Sequence, residues 1–143
     1  MSVCTFFGHR DCPDELKIQL RSILIELIEN HAAESFYVGN QGKFDSMAHS
    51  ILRELQAVYP GIRYAVVLAY LPQKKEKYGS DDFSNTIFPD GMENVPKRFA
   101  IVRRNQWMLR QSDIVVTYIR HSWGGAAQFA ELAERQKKMI IRL

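Results

Sequence analysis

The sequence predicts an α/β protein, a three-layer domain whose mainly parallel sheet has about five strands. Short β-prone apolar runs alternate with segments of helical period, so nearly every strand-to-strand connection is long enough to be a helix. The run Tyr64-Ala65-Val66-Val67-Leu68-Ala69 is almost continuously apolar, the pattern of a strand covered on both faces. Glycines also recur where a strand should pass into a helix: Gly8-His9-Arg10, Gly39-Asn40-Gln41-Gly42 and Gly124-Gly125. A turn without Cβ atoms lets backbone N–H groups approach an anion at the positive end of the helix that follows.

The first strand is expected over 3–7. Asp11, Pro13, Asp14 and Glu15 then make a helix start, with acids and an early proline. Leu16, Leu20, Ile23, Leu24, Leu27 and Ile28 recur at helical spacing to about residue 30. A second strand over 35–38 is stopped by Gly39. A helix over 44–56 follows, with Met47, Ala48, Ile51, Leu52 and Leu55 on one face and Pro60-Gly61 as its breaker. The third strand lies within 63–71. Residues 72–96 are the longest irregular stretch, with a basic start at Lys74, Lys75 and Lys77. A loop of that length is more often a lid, a binding loop or an insertion than a plain connector. Inside it, Asn85-Thr86-Ile87-Phe88 suits a short extra strand. A helix over 99–110, a buried strand over 114–118, a helix over 126–136 and a last strand over 139–142 complete the chain. In such a sheet ligands sit outside the carboxyl ends of the strands, and all three glycine turns belong at that edge.

With 143 residues, one domain with a core that needs no staples is expected. A hydrophobic content of 46% and a charged content of 24% argue against a disordered chain. The net charge of +3 does not announce a nucleic-acid partner and suits an anionic small ligand equally well. Cys4 and Cys12 are too few for a disulfide scaffold and lack metal-ligand spacing, so reduced thiols are expected. The first residues lack a basic, long-apolar leader, and no run nears the ~20 apolar residues of a membrane span. A cytoplasmic protein without a membrane partner is the expectation.

Each candidate residue has a plain reading beside its functional one. Gly8-His9-Arg10 is either a tight turn with a surface arginine or a bidentate phosphate contact. His9, His31, His49 and His121 show no metal-ligand spacing, so neither a metal nor a cofactor is expected. His31 suits the end of the first helix, where a cation is favourable. Asp45 either answers the positive end of its helix, orders the glycine turn or meets a ribose hydroxyl. Arg104 shares a partly apolar helix face with Met108 and needs a partner, which Glu131 or a bound anion would supply. Glu131 lies two turns into the last helix and is otherwise a surface acid.

The segment Gly39-Asn40-Gln41-Gly42-Lys43-Phe44-Asp45-Ser46-Met47-Ala48-His49 resembles the glycine-rich G-x-D-x-x-A-H segment of DNA-processing protein A. Arg104-Asn105-Gln106-Trp107-Met108 resembles the R-K-x-x-M segment of the lonely-guy phosphoribohydrolases. Gly124-Gly125-Ala126-Ala127-Gln128-Phe129-Ala130-Glu131 resembles their P-G-G-x-G-T-x-x-E segment. With Phe7-Gly8-His9-Arg10, the likeness to this SLOG superfamily spans nearly the whole chain and is nearest to a short, stand-alone bacterial branch. It implies a Rossmann-like fold and makes Arg104 and Glu131 the candidate catalytic pair. Gly8, His9, Arg10, Gly39, Asn40, Gly42, Asp45, Asn105, Gly124, Gly125 and Ala126 become the candidate ligand-binding set. The departures are Trp123 for the proline, Ala127 for the third glycine and Gln128 for the threonine. They make the binding edge transfer better than the catalysis.

The expected role is therefore a nucleotide or ribose-phosphate binder, acting as a sensor or regulatory domain. The alternatives are an N-glycosidic phosphoribohydrolase, a deoxyribosyltransferase-like enzyme and a single-stranded DNA binder, the last not favoured by the near-balanced charge. The phosphoribohydrolases it resembles are dimers, which makes a homodimer an expectation here.

Overall fold

Side chains of the strands alternate between two helical layers, as a period of two demands. In β1 (Ser2–Gly8), Cys4 and Phe6 join one core and Phe7 joins the other. In β5 (Ile114–Tyr118), Ile114, Val116 and Tyr118 face the first core and Val115 the second. The helices α1 (Leu16–Asn30) and α2 (Lys43–Val58) cover the first face with Leu20, Leu24, Leu27, Phe44, Ile51, Leu52 and Leu55. The other face is covered by α3 (Ala100–Gln111) and α4 (Gly125–Arg135), through Met108, Leu109, Phe129 and Ala133. Phe7 stacks on Phe129 with ring centroids 5.5 Å apart. The computed structural model describes residues 1–71 and 85–143. The basic start of the long loop expected at 72–96 lies outside the described residues.

The remaining strands are β2 (Ala33–Val38), β3 (Arg63–Val67), β4 (Thr86–Ile87) and β6 (Met139–Arg142). Their order is β4-β3-β2-β1-β5-β6, and every pairing is parallel. Six strands stand where about five were expected. The sixth is the short run suspected at 85–88, which pairs Val66 with Thr86 and Val67 with Ile87. The chain winds outward from β1 through β4, then returns to lay β5 on the other side of β1. The reversal in order falls between β1 and β5, so a crevice opens beyond their carboxyl ends.

Local details follow from the same forces. His31 ends α1 through its backbone N–H, bonded to the Leu27 carbonyl, while its ring lies 3.9 Å from Glu26. Cys4 and Cys12 are free and buried, and burial pushes both thiols up from their ordinary range. Among the described residues, no helix is long and apolar enough to cross a membrane, and no cluster of three or more His, Cys, Asp or Glu is placed to hold a metal.

Candidate functional site

A crevice of about 680 Å³ lies at the reversal between β1 and β5. The turn after β1 supplies Gly8, His9, Arg10 and Asp11, and the turn after β5 supplies Arg120, His121 and Trp123. Gln41 and Asp45 come from the start of α2, Arg104 and Asn105 from α3, and Gly124, Gly125 and Ala126 from the start of α4.

Two helices begin here in the same way. Gly42 precedes α2 with φ 103° and ψ −175°, and Gly124 precedes α4 with φ 95° and ψ 170°. Only glycine adopts that region without strain. Neither helix has a side-chain cap, so the first N–H groups of α4 border the crevice directly. Gly42 also rests against the turn after β1: the Lys43 N–H donates to the Arg10 carbonyl at 2.6 Å.

Beneath the crevice runs a polar network. Arg104 is only 2% exposed. Its Nε donates to Asn105 Oδ1 at 2.9 Å, and its Nη1 to Asn40 Oδ1 at 3.2 Å and the Val67 carbonyl at 3.1 Å. One side chain of α3 thus ties together the ends of β2 and β3. Asp45 is also buried, and its Oδ2 accepts the Gln41 N–H at 2.9 Å, which fixes the Gly39–Gly42 turn. Gly39 fits between the two charges, where a Cβ would stand 2.8 Å from Asp45 Oδ2 and 3.1 Å from Arg104 Cζ. Burial disfavours the charged guanidinium, while Asp45 and Tyr70 support it.

Burial lifts the Asp45 carboxyl from 3.8 to about 6, with the Gln41 N–H and Arg104 pulling it back. Ionising it in the folded state is unfavourable, so the folded chain holds this proton more tightly than the unfolded one. Stability measured against Asp45→Asn is expected to be unaffected below about pH 4, to fall between about pH 4 and 6, and then to level off. The full fall is up to roughly 3 kcal/mol. Urea titrations of both proteins across that range check it, and parallel profiles would refute it.

Around the mouth stands an aromatic column that the sequence did not announce. His9 and His121 stack with centroids 3.7 Å apart, and His121 stacks on Trp123 at 3.8 Å. His9 meets Tyr118 edge-on at 6.1 Å, and the Arg120 guanidinium lies 4.4 Å from the Tyr118 ring centroid. The Arg120 N–H donates to His9 Nε2 at 2.8 Å. Burial, His121 and Arg120 lower the His9 pKa, which favours the neutral acceptor that this bond needs.

Most of the sequence-predicted residues converge here, with Gly39, Asn40 and Gly42 just behind the lining. Glu131 does not join them. It is exposed, pairs with Arg135 one turn on, and lines a separate hollow beside β6. The partner that Arg104 required is therefore not Glu131 but the set of Asn40, Asn105 and the Val67 carbonyl, with Asp45 nearby. The column could have been suspected from histidines that follow two strands now seen side by side, with Gly8 in register with Tyr118.

No family model matches the chain, and no curated protein matches it. Among solved structures, the chain is similar to DNA processing protein A from Streptococcus pneumoniae, with a TM-score of 0.67 at 14% identity over 99% of this chain and 50% of that one. It is similar also to DNA processing protein A from Helicobacter pylori, described for its single-stranded DNA binding mode, with a TM-score of 0.61 at 16% identity over 99% of this chain and 64% of that one. The chain thus spans about half to two thirds of those proteins. At these identities the likeness shows the fold, which is the Rossmann-like one that the sequence resemblance implied.

Proposed function

We propose that the chain binds a mononucleotide or a nucleotide-derived phosphate in the crevice and acts as a sensor or regulatory domain. The observation that supports this most is the convergence of two glycine-led helix starts on one crevice at the reversal of strand order, α4 with its first N–H groups open to it and α2 seated on the Arg10 carbonyl behind it. Such N–H groups at the positive ends of helices suit phosphate. Arg10 and Arg120, both exposed, add cations at the mouth, while Arg104 holds the floor in place. Phe6, Ile101 and Met108 give the same crevice an apolar wall.

A thermal-shift screen with nucleoside monophosphates, sugar phosphates and sulfate tests the reading. A ligand at 100 times its Kd is expected to stabilise the fold by roughly 2.7 kcal/mol. No shift with any of them overturns it. Base release from the monophosphates is not expected, because the crevice carboxylates are Asp11 and Asp45 rather than Glu131.

Single-stranded DNA is the second reading. It is favoured by arginines interleaved with stacked rings, the pattern of strand-binding grooves, and by the activity described for the H. pylori protein of the same fold. Steep salt dependence of oligonucleotide binding, with no response to mononucleotides, would place it first.

A further inference from the structure

We infer that Trp123 is the base platform of this crevice: its outer indole face receives a purine or pyrimidine ring, while the ligand's phosphate lies toward the start of α4. The inference rests on the nucleotide reading above and names the part of the ligand that the glycine turns do not address. Three rings already form a column, His9 on His121 at 3.7 Å with 16° between planes and His121 on Trp123 at 3.8 Å with 18°. These separations are those of closely stacked π systems. The column ends in an indole that is 69% exposed, with one face covered by His121. A nucleobase is a planar, polarisable partner that extends such a stack whatever its hydrogen-bonding edge.

The platform is held before any ligand arrives. The Trp123 carbonyl can only accept, so the 2.9 Å contact with His121 Nδ1 makes that nitrogen the donor. The Arg120 N–H bond to His9 Nε2 fixes the other end of the column, His9, to the turn after β5. Little order is then lost on binding, which favours affinity. Trp123 immediately precedes Gly124, so a ring on the indole sits next to the uncapped start of α4. A base and its own phosphate fit that neighbourhood, whereas a bare sugar phosphate leaves the platform unused.

The test titrates adenosine monophosphate, ribose 5-phosphate and a short thymidine oligonucleotide into the wild type, Trp123→Ala and Trp123→Phe. Trp123→Ala is expected to weaken binding of the base-bearing ligands roughly 10- to 100-fold and to leave ribose 5-phosphate unchanged. Trp123→Phe restores most of the loss. In a Trp107→Phe background, Trp123 is the sole indole, and base-bearing ligands quench its fluorescence while ribose 5-phosphate does not. If only the oligonucleotide shows this dependence, the platform stands and its base comes from a single strand. Equal losses for ribose 5-phosphate and adenosine monophosphate, or no loss for either base-bearing ligand, overturn the platform and leave the nucleotide reading intact. If none of the three ligands binds the wild type, the nucleotide reading fails and the platform with it.

Discussion

Arg104→Ala is expected to destabilise the fold by about 4–5 kcal/mol, the largest effect of any single change considered. The truncation removes the Arg104 donor from Asn105 Oδ1 and the Val67 carbonyl, both buried, and from the exposed Asn40 Oδ1, and it removes the guanidinium that supports the buried Asp45. It also opens a cavity at a side chain that is 2% exposed. The cost arises less from the value of the interactions themselves than from polar groups left behind in the interior. Arg104→Lys keeps the charge but loses the planar fork that reaches three acceptors at once, so a smaller loss of about 2–3 kcal/mol is expected. Urea unfolding at neutral pH checks both values. An alanine variant within about 1 kcal/mol of wild type would mean that the network does not hold this edge of the sheet.

Gly42→Ala should follow closely, at roughly 3–5 kcal/mol, or a melting temperature lower by about 10–20 °C. Two costs add. An alanine at φ 103° and ψ −175° is strained by about 1–3 kcal/mol. Its Cβ would also stand 2.7 Å from the Arg10 Cα, a backbone atom that cannot swing away. Gly124→Ala separates the two terms, because the same strain applies there while a Cβ at Gly124 meets nothing within 4 Å. It should lose only about 1–3 kcal/mol. Equal losses at the two positions would show that contact with Arg10 is not what fixes the turn.

What could be read from the sequence was whatever repeats with a period or ends in a glycine. Leu16, Leu20, Leu24 and Leu27 are buried along α1 as their spacing predicts, and β5 and β6 span the 114–118 and 139–142 expected of them. The strand expected within 63–71 occupies Arg63–Val67. Interactions between distant positions were not legible. Arg104 meets Asn40 and Val67 across 64 and 37 residues, and composition alone does not say that an arginine will be buried. Asp45 was expected to answer its helix, to order the turn or to meet a ribose hydroxyl, and its bond to the Gln41 N–H performs the second role. The His9–His121–Trp123 column needs two loops brought together by the return of the chain to β5, a step that local pattern does not encode.

The matched starts of α2 and α4 have an electrical consequence. Each helix carries the equivalent of about half a positive charge at its N-terminus, so the pair concentrates about one elementary charge on the crevice from opposite sides of the sheet. That charge belongs to the peptide backbone and cannot titrate. Side-chain charge at the site varies with pH: Asp45, its pKa lifted to about 6 by burial, sets a negative charge against the backbone field once ionised. Acidification removes the carboxylate that opposed the backbone field, and so strengthens the local attraction for an anion.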